Sequence, residues 1–107
     1  RGDGSDLKES DFDYLDVSEL PAPEPLHQAL VAVEMLSSGR FIHFHHRQHP
    51  RLLYEQLEKR GFDSDTRRGP GGSCEVFIWA KDDTRAHERA LKRAALYVPW
   101  NTGKDSP

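Results

Sequence analysis

His43, His45, His46 and His49 fall within the stretch FIHFHHRQHP, which closes on Pro50. Imidazoles so spaced fit three kinds of chemistry. On a strand, His43 and His45 point to one side with Cα atoms about 7 Å apart. Such a pair, joined by His49 and a carboxylate such as Glu24, is a candidate site for a divalent transition metal: zinc, nickel or copper(II). His46 points to the opposite side and joins that set only through a bulge. The second chemistry is anion binding: a helix start beyond Pro50 offers backbone N–H groups and a positive dipole end, and Arg47, Arg51 and a protonated His46 or His49 add charge. The third is structural, with the imidazoles capping the helix or bonding the backbone.

The elements that must position these residues follow from periodicity and punctuation. Residues 1–12 are polar and acidic, and are expected to be a mobile tail. Tyr14 to Val17 reads as a first strand. The PAPEP run at 21–25 removes donors from a sheet but suits a helix start, with Pro25 in the first turn and Glu24 at the positive dipole end. Leu26, Ala29, Leu30, Val33 and Leu36 continue that helix until Ser37-Ser38-Gly39 stops it. A second strand covers Arg40 to His46, a second helix runs from Pro50 to Gly61, and a weaker third strand runs from Phe62 to Arg67. GPGG at 69–72 is a turn, and Cys74 to Ala80 is a fourth strand. Thr84 is the expected cap of a last helix reaching about Leu96.

The order is β-α-β-α-β-β with an appended helix. Right-handed crossovers place the first two helices on one face of the sheet, which makes an α/β two-layer sandwich over 13–81. The helix at 82–98, or a second copy of the chain, is the expected cover of the other face, and 99–107 reads as a tail. If the first two strands are parallel, residues 21–25 and 45–51 crowd one edge, where open α/β sheets bind ligands. That edge would hold Glu24, His46, Arg47, His49 and Arg51.

Composition excludes several classes. A net charge of −3 over 107 residues argues against nucleic-acid binding. No apolar run approaches a membrane span, and the start RGDGSDLKESDFDYLD lacks the apolar middle of a signal peptide. A chain opening on Arg1 without methionine is expected to be a fragment or a processed form. Cys74, the single cysteine, rules out an internal disulfide and fits a cytoplasmic location. Monomer and homodimer both remain open. Acidic residues dominate 1–24, while Arg85, Arg89, Lys92 and Arg93 face only Glu88 in 84–98; two solvated faces is the plain reading, electrostatic attraction between them the sharper one.

The segment from Leu15 to Ala80 resembles the TusA-like (SirA-like) fold, and more closely an uncharacterised bacterial domain family that shares it. LDVSELPAPEP, HHRQHPRLLYEQLEKRGF and CEVFIWA carry the resemblance. In TusA-like sulfur carriers a persulfide-bearing cysteine immediately precedes P-x-P. Here P-x-P is Pro23-Glu24-Pro25 and the preceding residue is Ala22, so carrier chemistry at that position is excluded. The expected function is a non-catalytic binding or protein-partner module, taking a partner or small anion at the 21–25/45–51 edge. Metal binding through the histidines is the alternative, and sulfur handling through Cys74 a third.

Overall fold

The computed structural model describes residues 11–100. Among these, β1 (Phe12–Asp16), α1 (Glu24–Glu34), β2 (Phe41–His46), α2 (Arg51–Lys59) and β3 (Phe62–Arg68) follow in turn. A 3-10 turn, Pro70–Gly72, leads into β4 (Cys74–Ala80), then α3 (Thr84–Ala94) and β5 (Val98–Pro99). The sheet runs β1-β2-β4-β3-β5, with β1 and β2 parallel and the other pairs antiparallel. The chain is therefore a mixed α/β fold.

Alternation along the strands sets the two sheet faces. Ile42, Phe44, Cys74, Val76 and Ile78 meet Ala29 and Val33 of α1 and Leu53 and Leu57 of α2. Phe41, Phe77 and Trp79 meet Ala86, Ala90 and Ala94 of α3. The small i, i+4, i+8 alanine stripe lets α3 lie close over three large aromatic rings. The expected two layers are thus three, because this chain's own last helix supplies the missing cover. No helix among the described residues is long and apolar enough to cross a membrane.

Several boundaries differ from expectation. Asp83, not Thr84, caps α3: its Oδ1 accepts from the Ala86 N–H at 3.1 Å, while Oδ2 accepts from the Gly39 N–H at 2.6 Å. Those backbone hydrogen bonds, Gly39 first, hold the Asp83 carboxyl below its ordinary range. A carboxylate one residue earlier outcompetes the hydroxyl for the helix end. Phe12, assigned to a mobile tail, opens β1 and stacks on Phe41 at 5.2 Å. Residues 1–10 and 101–107 of the two expected tails lie outside the described residues. Val98–Pro99 adds a fifth strand on β3, and Trp100 packs against the core beyond it. An isolated two-residue pairing leaves no periodicity in a sequence.

Candidate functional site

The parallel pairing of β1 with β2 sends both following loops to one end of the sheet. There Ala22, Pro23 and Leu26 face His46, His49 and Leu53 across a cleft of about 330 Å³. Its walls are mainly apolar, and Leu52, which is 72% exposed, stands at its mouth. The Ala22–Pro23 peptide is cis. His49 stacks on Trp100 at 5.0 Å, so the last described residue of the chain buttresses the loop. The Nδ1 atom of His46 is buried and has no hydrogen-bond partner among the described residues.

The electrostatics of this edge differ from expectation in two respects. Burial, with help from Arg47 and His45, pushes the His46 imidazole below its ordinary pKa. Burial and Arg51 do the same to His49. Both rings are therefore neutral at pH 7, and the positive charge comes from the exposed Arg47 and Arg51 alone. The N–H groups of Arg51 and Leu53 are also engaged, donating to His49 O at 2.9 Å and Pro50 O at 3.0 Å. Little of the helix start is left for a bound anion.

His43 and His45 lie on the other face of the sheet, beneath α3, in a polar cluster the sequence reading missed. Antiparallel register sets Glu75 directly opposite His45 and diagonal to His43. Glu75 Oε1 lies 2.6 Å from His43 Nε2, and Oε2 lies 2.8 Å from His45 Nδ1. Ser73 Oγ donates to Oε2 at 2.5 Å, and Arg93 Nε donates to His43 Nδ1 at 2.7 Å. A guanidinium has only donors, so His43 Nδ1 must accept and its single ring proton sits on Nε2, directed at Glu75. The cluster is thus a directed chain from Arg93 through neutral His43 to the Glu75 carboxylate, which also receives Ser73 and His45.

The ionisation states agree with that chain. His43 is fully buried, and desolvation pulls its pKa down to about 4 against the opposing pull of Glu75. Burial alone would raise the Glu75 carboxyl, but hydrogen bonds from Ser73, His43 and His45 outweigh it and hold the group below its ordinary range. Of the expected metal set, His43 is thereby committed elsewhere, since both its nitrogens are bonded, and His45 holds Glu75 through Nδ1. Glu24 heads α1 and faces His27 at 3.9 Å; it is not part of the cleft wall. Among the described residues, no group of three or more His, Cys, Asp or Glu side chains is arranged to hold a metal ion. Cys74 is buried in the core, and desolvation pushes its thiol up to about 12. At neutral pH it is not a nucleophile.

Gly69 is tied to the same cluster. A Cβ there would fall 2.6 Å from Glu75 Oε2 and still closer to Ser73 Oγ. Neither atom can swing aside without breaking the part-buried Ser73–Glu75 hydrogen bond. Gly69→Ala should therefore destabilise the fold by about 1–3 kcal/mol, the scale of overpacking in a filled interior. Urea unfolding followed by circular dichroism reads this directly, and an unchanged midpoint would mean the cluster is looser than its distances state.

The signals for this cluster were one carboxylate in the otherwise apolar strand CEVFIWA and one alternating His-x-His strand. Linking them required the register of β2 on β4, and linking Arg93 required the placement of α3.

A family model described as "Uncharacterized conserved protein (DUF2249)" matches residues 14–80. No curated protein and no solved structure matches the chain.

Proposed function

Since the chain belongs to the family described as uncharacterized conserved protein DUF2249, whose matched span includes both loops of the cleft, we propose that it is a non-catalytic binding module acting through the 21–25/45–51 edge. Its ligand is an apolar group with an acidic end, presented by a protein partner or a small molecule. The observation that carries this is the cleft itself: about 330 Å³ with mainly apolar walls, and Arg47 and Arg51 in the flanking loop and helix start. Pre-formed apolar concavities with a few polar groups are the usual form of a ligand site. The buried, unpartnered Nδ1 of His46 supports the reading, because an unsatisfied buried polar atom is costly unless something meets it. Among the described residues that line the cleft there is no serine, threonine or cysteine, which favours binding over catalysis.

The TusA-like assignment of the fold belongs to the same proposal. It is supported by the order β-α-β-α-β-β over Phe12–Ala80 and the Pro23-Glu24-Pro25 entry into α1. A bacterial, cytoplasmic protein is part of it too, consistent with one buried free thiol. Sulfur transfer is not, since Ala22 carries no nucleophile and Cys74 is buried.

Octanoate, an apolar chain ending in a carboxylate, is a suitable probe. Titrated into the full chain, it should shift the amide resonances of Leu26, His46, Gln48 and Leu53 saturably. Leu52→Glu, at an exposed position, should weaken that binding about tenfold or more by setting a like charge at the mouth. Shifts that do not saturate, or that ignore Leu52→Glu, would refute the reading.

A further inference from the structure

On the opposite face from that cleft, β1 and the end of α3 enclose a second hollow, of about 500 Å³, lined by Phe12, Asp13, Tyr14, Arg40, Arg93 and Tyr97. We propose that this hollow binds a small organic oxyanion, carboxylate or phosphate, carried on a flat aromatic body.

The position of Arg93 is the first argument. Its Nε is committed to His43 at 2.7 Å, and its guanidinium lies over the Phe12 ring with 4.2 Å from Cζ to the ring centroid. Held by a hydrogen bond on one side and a ring beneath, the planar group is oriented before any ligand arrives. Its Nη1 and Nη2 have no hydrogen-bond partner among the described residues, and Arg93 lines the hollow. A fixed guanidinium with two parallel donors matches the two oxygens of a carboxylate or phosphate. Ordering such a side chain in advance removes an entropic penalty from binding.

The charge balance is the second. Asp13, the only carboxylate among the described residues of the lining, is already paired with Arg40. Glu75, the buried carboxylate at the far end of the chain from Arg93, is separated from it by the neutral His43 ring. Among the described residues of the lining, an incoming anion therefore meets Arg93 with no unpaired carboxylate beside it.

The aromatic lining is the third. Phe12, Tyr14 and Tyr97 supply ring surface, and partial burial pushes both tyrosine hydroxyls above the ordinary phenol range, so both are protonated donors. Tyr14 and Tyr97 each meet the His43 ring edge-on, at 4.9 and 5.4 Å, and are braced by the same cluster that holds Arg93. A volume of about 500 Å³ is within the usual range for small-molecule sites and takes a body of one or two rings.

Benzoate, phenyl phosphate and inorganic phosphate, titrated separately into the isotopically labelled full chain, test this. Benzoate or phenyl phosphate should give saturable shifts at the Arg93 Nε–H and at the Phe12, Tyr14 and Tyr97 rings. Carboxylate or phosphate is then assigned by which of the two binds tighter. Arg93→Lys, which keeps the charge and loses the fork, should weaken binding about tenfold or more. Tyr14→Ala, at a residue that is 52% exposed, should weaken it about fivefold while leaving the fold intact. Should Arg93→Lys fail to fold, the Tyr14 variant decides alone. The proposal is overturned if no probe saturates by 10 mM, if the Tyr14 variant binds equally well, or if inorganic phosphate binds as tightly as phenyl phosphate.

Discussion

Glu75→Ala should lower the unfolding free energy by about 1.5–3 kcal/mol, the scale of hydrogen bonds to a charged group whose loss leaves a buried donor unsatisfied. Glu75 is only 2% exposed and accepts three hydrogen bonds, from His43, His45 and Ser73. Its loss leaves the fully buried His43 Nε2–H without an acceptor, and a void beside Ser73 that cannot hydrate freely. The total stability of a domain this size is about 5–15 kcal/mol, so this one substitution removes a large share. With about 4–8 °C of melting temperature per kcal/mol, the shift should be about 6–24 °C. Glu75→Gln keeps the shape but gives one oxygen position to an N–H₂ donor, so it should fall between the wild type and Ala. Urea unfolding at pH 7 measures the series. A loss below about 1 kcal/mol for Glu75→Ala would mean the carboxylate is more hydrated than its burial indicates.

The same cluster shows what the sequence could and could not disclose. Helix and strand positions were legible because Leu53 and Leu57, or Val76 and Ile78, recur with the period of their element. The meeting of the 21–25 and 45–51 loops was legible as well, since it follows from two parallel strands with right-handed crossovers. What periodicity cannot carry is register across strands. Alternation along β2 puts His43 and His45 on one face, but topology alone points to Glu24 as their partner, whereas strand pairing brings Glu75. In the sequence Arg93 belongs with Arg85, Arg89 and Lys92 to what has the pattern of a solvated basic face. Only the seating of Ala90 and Ala94 on Phe77 turns Arg93 inward toward His43. The loss of charge from His46 and His49 was hidden for a related reason: desolvation belongs to the packed structure, not to the residue type.

Desolvation also gives the protein an acid sensitivity that begins well above the carboxylate range. His43 titrates at about 4 in the folded protein against an ordinary 6.5. Above pH 6.5 both states hold it neutral, and its contribution is complete. As pH falls from 6.5 toward 4, the unfolded chain takes up the proton first, so stability falls. A difference of 2.5 units, 6.5 minus 4, corresponds to about 3 kcal/mol. His46 and His49, also depressed, act with the same sign in that window. Glu75, Asp16 and Asp83 are depressed carboxylates, so their stabilisation is present above their ordinary values and is lost only below about pH 4.5. Between pH 6.5 and 4.5 the slope therefore belongs to histidine. His43→Gln isolates it, because the amide oxygen can accept from Arg93 and its N–H₂ can donate to Glu75 without titrating. Denaturation midpoints for that variant should change far less across this window than those of the wild type, while both fall together below pH 4.5. Parallel curves for the two proteins would place the titrating group elsewhere and would mean His43 is reached by water.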